Sequence, residues 1–127
     1  MTNVLVVDDE RDVPDLFQQR FRKEIKSGQI HMEFVYSGSE AIDYLKLHNG
    51  EIELILSDIN MPGMDGLEML RQLRQKTELK CPVVIMISAY GDENNYKIAM
   101  EFGAEAFLTK PIDFNDLKQR LQQHIQS

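Results

Sequence analysis

Val4-Leu5-Val6-Val7-Asp8-Asp9 decides the fold. Four apolar residues run without polar alternation, and three of them are β-branched valines. Such a run marks a strand buried on both faces, which belongs in a parallel sheet with helices on either side. The run then stops on two carboxylates. The same design returns further along the chain. Leu54-Ile55-Leu56-Ser57 ends on Asp58, Val83-Val84-Ile85-Met86-Ile87 ends on Ser88, and Ala106-Phe107-Leu108-Thr109 ends on Lys110-Pro111.

Helical patterns fill the intervals. Val13, Leu16, Phe17, Phe21 and Ile25 fall at helical spacing, with Asp12 positioned to cap and Pro14 tolerated in the first turn; Ser27-Gly28 closes that helix. A second strand, near residues 31–36, alternates through Met32, Phe34 and Tyr36, as an edge strand does. Ser37 with Glu40 is a capping box ahead of Ala41, Ile42 and Leu45. Asn60 to Gly66 is dense in turn residues, with Asp65-Gly66 starting a helix that carries Leu67, Leu70 and Leu73. A fourth helix ends near Phe102-Gly103, and Asp113 caps a last one with Phe114, Leu117, Leu121 and Ile125 on one face. The alternation predicts an α/β, (βα)5 doubly wound domain whose five parallel strands are flanked by helices on both faces. In that architecture ligands meet the carboxyl ends of the strands, where Asp8, Asp9, Asp58, Ser88 and Lys110 all fall.

Composition narrows the function. At 127 residues, with 43% hydrophobic and 28% charged residues, the chain is expected to form one globular domain over 1–127. Twenty-one acidic residues against 14 basic ones, for a net charge of −7, argue against direct nucleic-acid binding. One cysteine, Cys81, allows neither an internal disulfide nor a zinc cage. Apolar runs far short of a bilayer and an N-terminus without a basic start predict a cytoplasmic domain with no membrane role. His31, His48 and His124 show no metal spacing.

The predicted site has a chemistry of its own. Three carboxylates and one ammonium leave two negative charges uncompensated, which one divalent cation would cancel. Mg²⁺ prefers oxygen ligands and is commonly held by one or two carboxylates plus a phosphate oxygen. A carboxylate is a covalent nucleophile toward phosphorus. Phosphoryl transfer needs positioning and charge neutralisation above all.

Val7-Asp8-Asp9-Glu10, Asp58 with Met61-Pro62 and Asp65-Gly66, Ser88-Ala89 and Lys110-Pro111, in that order, resemble the receiver domain of bacterial two-component response regulators over residues 3–125. The resemblance implies a flavodoxin-like sheet of order 2-1-3-4-5. It implies Asp58 as phosphoacceptor and Mg²⁺ (or Mn²⁺) held by Asp9 directly, Asp8 through water, Asp58 and the Asn60 carbonyl. Ser88 and Lys110 are implied to contact the phosphoryl group, and Phe107 to stand at the aromatic position that changes rotamer on activation. Phenylalanine lacks the hydroxyl of the tyrosine often found there. Asn60 and Tyr90 resemble positions that tune hydrolysis, and the bulk of Tyr90 predicts slow loss of the phosphoryl group. The implied donor is a histidine kinase or phosphotransfer protein. The output is a changed surface on the fourth helix, fifth strand and fifth helix, carrying Tyr96, Met100 and Phe107, which would act on a downstream partner or domain or form a homodimer.

Other functions fit less well. A dehalogenase-like phosphohydrolase wants Asp-x-Asp on its first strand and a cap segment, whereas Asp8 and Asp9 are adjacent. A flavin-binding domain wants a phosphate cradle where Asp8-Asp9 repels phosphate. A phosphorylation-independent receiver is expected to lack acidic residues or the lysine, all of which are present. Both a single-domain regulator and a receiver within a larger protein agree with this length.

Overall fold

A computed structural model of the chain describes residues 1–76, 78–80, 82–89 and 93–124. Among these residues, eleven elements follow one another: β1 (Thr2–Val7), α1 (Val13–Arg20), α2 (Arg22–Lys26), β2 (Ile30–Val35), α3 (Gly38–Leu47), β3 (Leu54–Asp58), α4 (Gly66–Gln75), β4 (Val83–Ser88), α5 (Glu93–Glu101), β5 (Ala106–Thr109) and α6 (Phe114–Gln122). The five strands form one parallel sheet in the order β2-β1-β3-β4-β5. The doubly wound α/β architecture read from the alternation is therefore present, with β2 at an edge as its alternating pattern predicts.

The period of two along the central strands sorts the core into two halves. Leu5, Val7, Ile55, Val84 and Met86 face α3, α4 and α5, where they meet Ala41, Leu45, Met69, Leu70, Leu73 and Ala99. Val4, Val6, Leu54, Leu56, Ile85 and Ile87 face the other way, against Phe17, Phe21, Leu117 and Leu121. Burial on both sides is what removed polar residues from these strands. It also leaves their ends as the only places along them where charge meets water.

The first helical stretch differs from expectation. Its periodicity predicts one helix through Ile25, but the chain leaves helical geometry at Phe21 (φ −105°, ψ 19°), which ends α1 and precedes the short α2. Phe21 is fully buried, with its ring 6.1 Å from Phe17 and 6.2 Å from Phe114. Packing of that ring outweighs one turn of regular helix. Asp12 makes no side-chain cap hydrogen bond because its own backbone is already helical (φ −80°, ψ −16°), and Leu16 stays exposed. Elsewhere the caps are as read. Ser37 Oγ accepts from Glu40 N–H at 3.1 Å, Asp65 Oδ1 from Glu68 N–H at 2.8 Å, and Asp113 Oδ1 from Asn115 and Asp116 N–H. Leu117 and Leu121 are buried on α6, while Ile125 lies outside the described residues, as does Cys81.

The loop after β3 is held close to the sheet. Gly66 N–H donates to the Ile59 carbonyl at 2.9 Å. A Cβ at Gly66 would lie 2.2 Å from the Asp58 carbonyl oxygen and 2.8 Å from Met86 Cε, so only glycine lets α4 begin this close to Asp58.

Candidate functional site

The carboxyl edge of the sheet gathers the predicted residues. Val7 pairs with Ser57 across β1 and β3, and Asp58 with Ile87 across β3 and β4, so the residues beyond these strands emerge side by side. Asp58 and Asp8 are 4% and 8% exposed, and Ser88 is fully buried. The Ser88 carbonyl accepts the Lys110 N–H at 2.8 Å, which fixes the start of the lysine relative to β4.

Lys110 reaches back over the edge. Its Nζ lies 3.2 Å from Asp58 Oδ2, 3.5 Å from Glu10 Oε1 and 3.8 Å from Asp8 Oδ2. Asp8, Glu10 and Asp58 each offer a carboxylate oxygen, all within 4.8 Å of one another, and together they could hold a metal ion. Asp9, half-exposed, is not in that group, although the resemblance implies it as the direct ligand. Glu10 is, and sequence reasoning gave it no role. The signal was there, in a third acidic residue directly after the pair. Glu10 also donates its backbone N–H to Asp8 Oδ1 at 3.0 Å, which orients that carboxylate.

Electrostatics follow from this crowding. Burial pushes the Asp58 carboxyl above its ordinary pKa; Lys110 and the backbone N–H groups of Asn60 and Ile59 pull it down without cancelling the rise. Burial likewise raises Asp8, helped by the like charges of Asp58 and Glu10 and opposed by the Glu10 N–H and Lys110. For Lys110, burial disfavours the ammonium, but Asp58, Asp8 and Glu10 together outweigh it and raise its pKa. Two buried carboxylates with weakened acidity and an all-oxygen donor set suit a small divalent cation such as Mg²⁺. Bound there, the cation would supply positive charge beside Asp58; Asp8, Glu10 and Asp58 are the carboxylates placed to hold it.

The remaining predicted residues lie around this centre. Asn60 is exposed, two residues beyond Asp58. Phe107, on β5, is partly buried and meets Tyr96 edge-on, with centroids 5.5 Å apart at 88°. Tyr96 and Met100 are exposed on α5. Tyr90 lies outside the described residues. Arg11, just past the acidic run, stacks over the Tyr36 ring at 4.0 Å and ties the loop after β1 to the end of β2. Among the described residues no helix is long and apolar enough to cross a membrane.

The sheet order, the strand-end acids and the lysine find their counterpart in known proteins. The model of the response regulator receiver domain matches residues 4–122, and the chain belongs to that family, whose members are receivers of two-component signalling. Solved structures agree over almost the whole length. A signal receiver domain of a putative LuxO repressor protein from Vibrio parahaemolyticus is 28% identical, with a TM-score of 0.83, covering 97% of this chain and 88% of that one. The signal receiver domain of a histidine kinase from Syntrophus aciditrophicus is 27% identical, with a TM-score of 0.80, covering 97% and 89%. A CheY-like receiver domain protein from Methanospirillum hungatei is 25% identical, with a TM-score of 0.81, covering 98% and 93%.

Proposed function

We propose that this receiver is a Mg²⁺-dependent phosphorylation switch with Asp58 as its acceptor. One observation carries the reading: a nearly buried carboxylate at the end of β3, with the Lys110 ammonium 3.2 Å from its Oδ2 and two further carboxylates beside it. An Asp58 carboxylate oxygen attacks the phosphorus of a phosphohistidine on a histidine kinase or phosphotransfer protein. The new O–P bond forms as the P–N bond breaks, and the imidazole nitrogen leaves with the electron pair. Charge on the transferred group spreads over its oxygens, so positioning and neutralisation supply most of the acceleration. Lys110 takes one oxygen and the Ser88 hydroxyl another. A bound Mg²⁺ would neutralise the excess negative charge; Asp8 and Asp58 would hold it, with the Glu10 carboxylate within reach and Asp9 and the Asn60 carbonyl the further ligands that the resemblance implies.

A groove of about 350 Å³ between α1 and the Lys110–Phe114 segment supports docking of a protein donor. Val13, Leu16, Phe17 and Ile112 give it apolar walls, and it opens directly beside Asp8, Glu10 and Lys110. The acceptor is part of the protein itself and the acyl phosphate later hydrolyses, so the domain is a switch rather than an enzyme with a turning-over substrate, and we place it in the cytoplasm with its phosphodonor. Its output is a two-state change in which Ser88 moves toward the phosphoryl group and Phe107 turns inward, altering the α5-β5-α6 face for a downstream partner. Tyr90, two positions after Ser88 in the sequence, slows the loss through the bulk of its side chain.

Incubation with acetyl phosphate and Mg²⁺, followed by intact mass measurement, tests this. One hydroxylamine-labile phosphoryl adduct is expected on wild type, with none on Asp58→Ala and none after chelation of Mg²⁺. An adduct that survives Asp58→Ala, or none from acetyl phosphate or any kinase tried with folded protein, overturns the reading.

A further inference from the structure

Lys110 presents three N–H donors, and three carboxylates surround it. They are not equivalent. The side chains of Asp58 and Asp8 are 5% and 9% exposed and are fixed by strand ends, whereas that of Glu10 is 64% exposed. A buried carboxylate separated from its partner cation is left with an uncompensated charge, but a solvated one loses little, because water replaces the ammonium. Any anion that needs a donor from Lys110 therefore displaces Glu10 first. Until that happens, the Glu10 carboxylate lies on the lysine and adds a third negative charge to the surface an incoming phosphoryl group must approach.

We propose that Glu10 is the exchangeable counter-anion of Lys110, a positioning residue that holds the ammonium while Asp58 is unmodified and yields it to the phosphoryl oxygen during transfer. The inference rests on the phosphoacceptor reading above. Its backbone and side chain then have separate duties. The Glu10 N–H holds the Asp8 carboxylate at 3.0 Å, which substitution leaves in place, and the side chain restrains Lys110. The cost is a slower reaction with small anionic donors, for which Glu10 competes directly. A docked protein donor offsets that cost through its contacts in the adjoining groove, so Glu10 biases the switch toward protein donors.

Glu10→Gln keeps the shape and removes the charge, at a side chain too exposed to threaten folding. Asp12→Asn, an exposed neighbour with no side-chain cap hydrogen bond, controls for net charge. In acetyl phosphate labelling, an O–P bond forms to Asp58, the P–O bond to the acetyl group breaks and acetate leaves with the electron pair. At Mg²⁺ concentrations that saturate each variant in a calorimetric titration, Glu10→Gln is expected to label about two- to fivefold faster than wild type, with Asp12→Asn unchanged. A second readout needs no phosphate. The Lys110 ammonium, followed by NMR, is expected to exchange its protons with water severalfold faster in Glu10→Gln. Unchanged ammonium exchange, or equal or slower labelling beside normal wild-type labelling, overturns the role of Glu10 alone. Wild type that accepts no phosphoryl group from acetyl phosphate or from any kinase overturns the phosphoacceptor reading and this one with it.

Discussion

The two ends of the central strands use polar residues in opposite ways. At the amino end, the donors of Asn3, Glu53 and Val83 all meet acceptors. Asn3 N–H donates to Glu53 Oε2, Asn3 Nδ2 to the Glu51 carbonyl at 3.0 Å, Glu53 N–H to the Asn3 carbonyl at 3.0 Å, and Val83 N–H to the Glu53 carbonyl at 3.1 Å. That end is settled. At the carboxyl end, Asp8, Glu10 and Asp58 share one ammonium, and two negative charges stay unmatched. Between the ends Leu5, Ile55 and Leu56 are fully buried and nothing is charged. One sheet thus carries a closed edge that serves stability and an open one that retains repulsion. Stability alone gives no reason to bury Asp8 and Asp58 together, since well-packed apolar residues would serve it better. The phosphorylation switch proposed above supplies such a reason, through a cation and a phosphoryl group.

The contrast can be broken hardest at Gly66. Gly66→Ala puts a methyl group 2.2 Å from the Asp58 carbonyl, against backbone that cannot swing away. We expect a loss of about 3 kcal/mol in denaturant unfolding, and labelling of Asp58 that stays depressed even under conditions where the variant is folded.

Cation and pH sharpen it next. The raised carboxyl pKa values of Asp8 and Asp58 mean that the native state binds more protons than the unfolded chain in this range. Their contribution to stability is therefore most favourable below the ordinary carboxylate pKa and is lost as pH rises through the raised values. Mg²⁺ counters that loss, because it binds the ionised forms. At roughly ten times its Kd, it is expected to raise the melting temperature by about 5 °C near neutral pH. The gain shrinks as the pH falls toward the raised carboxyl values, where protons compete for the same oxygens. A Mg²⁺ effect independent of pH would mean binding elsewhere.

The smallest effect belongs to the closed edge. Glu53→Gln keeps an acceptor for Asn3 N–H and removes only a partly exposed charge. Its unfolding free energy should change by less than about 1 kcal/mol, with the labelling rate of Asp58 unaltered.

Much of this was legible from strand patterns. The apolar runs ending at Val7, Ser57 and Thr109 place Asp8, Asp58 and Lys110 at one edge for a simple reason. In a parallel sheet every strand points the same way, so every following residue emerges on the same side. The capping residues Ser37, Asp65 and Asp113 were equally readable, since a cap is a contact between residues two or three apart. The first helix was less readable. Its apolar spacing runs through Phe21, but the break there depends on the Phe17 and Phe114 rings, and Phe114 lies 93 positions away in the chain. Spacing cannot see that ring.

The sequence by itself determined the alternation of elements, the parallel sheet and the identity of the acidic edge, because hydrophobic period and local capping act over a few residues. Only the tertiary structure decided how that edge is shared: Glu10 rather than Asp9 beside Asp8 and Asp58, and all three around Lys110. Three acidic residues in a row look alike as letters. Which of them turns toward an ammonium a hundred positions away depends on backbone direction at the end of β1 and on where β5 delivers the lysine, and both are properties of the assembled sheet.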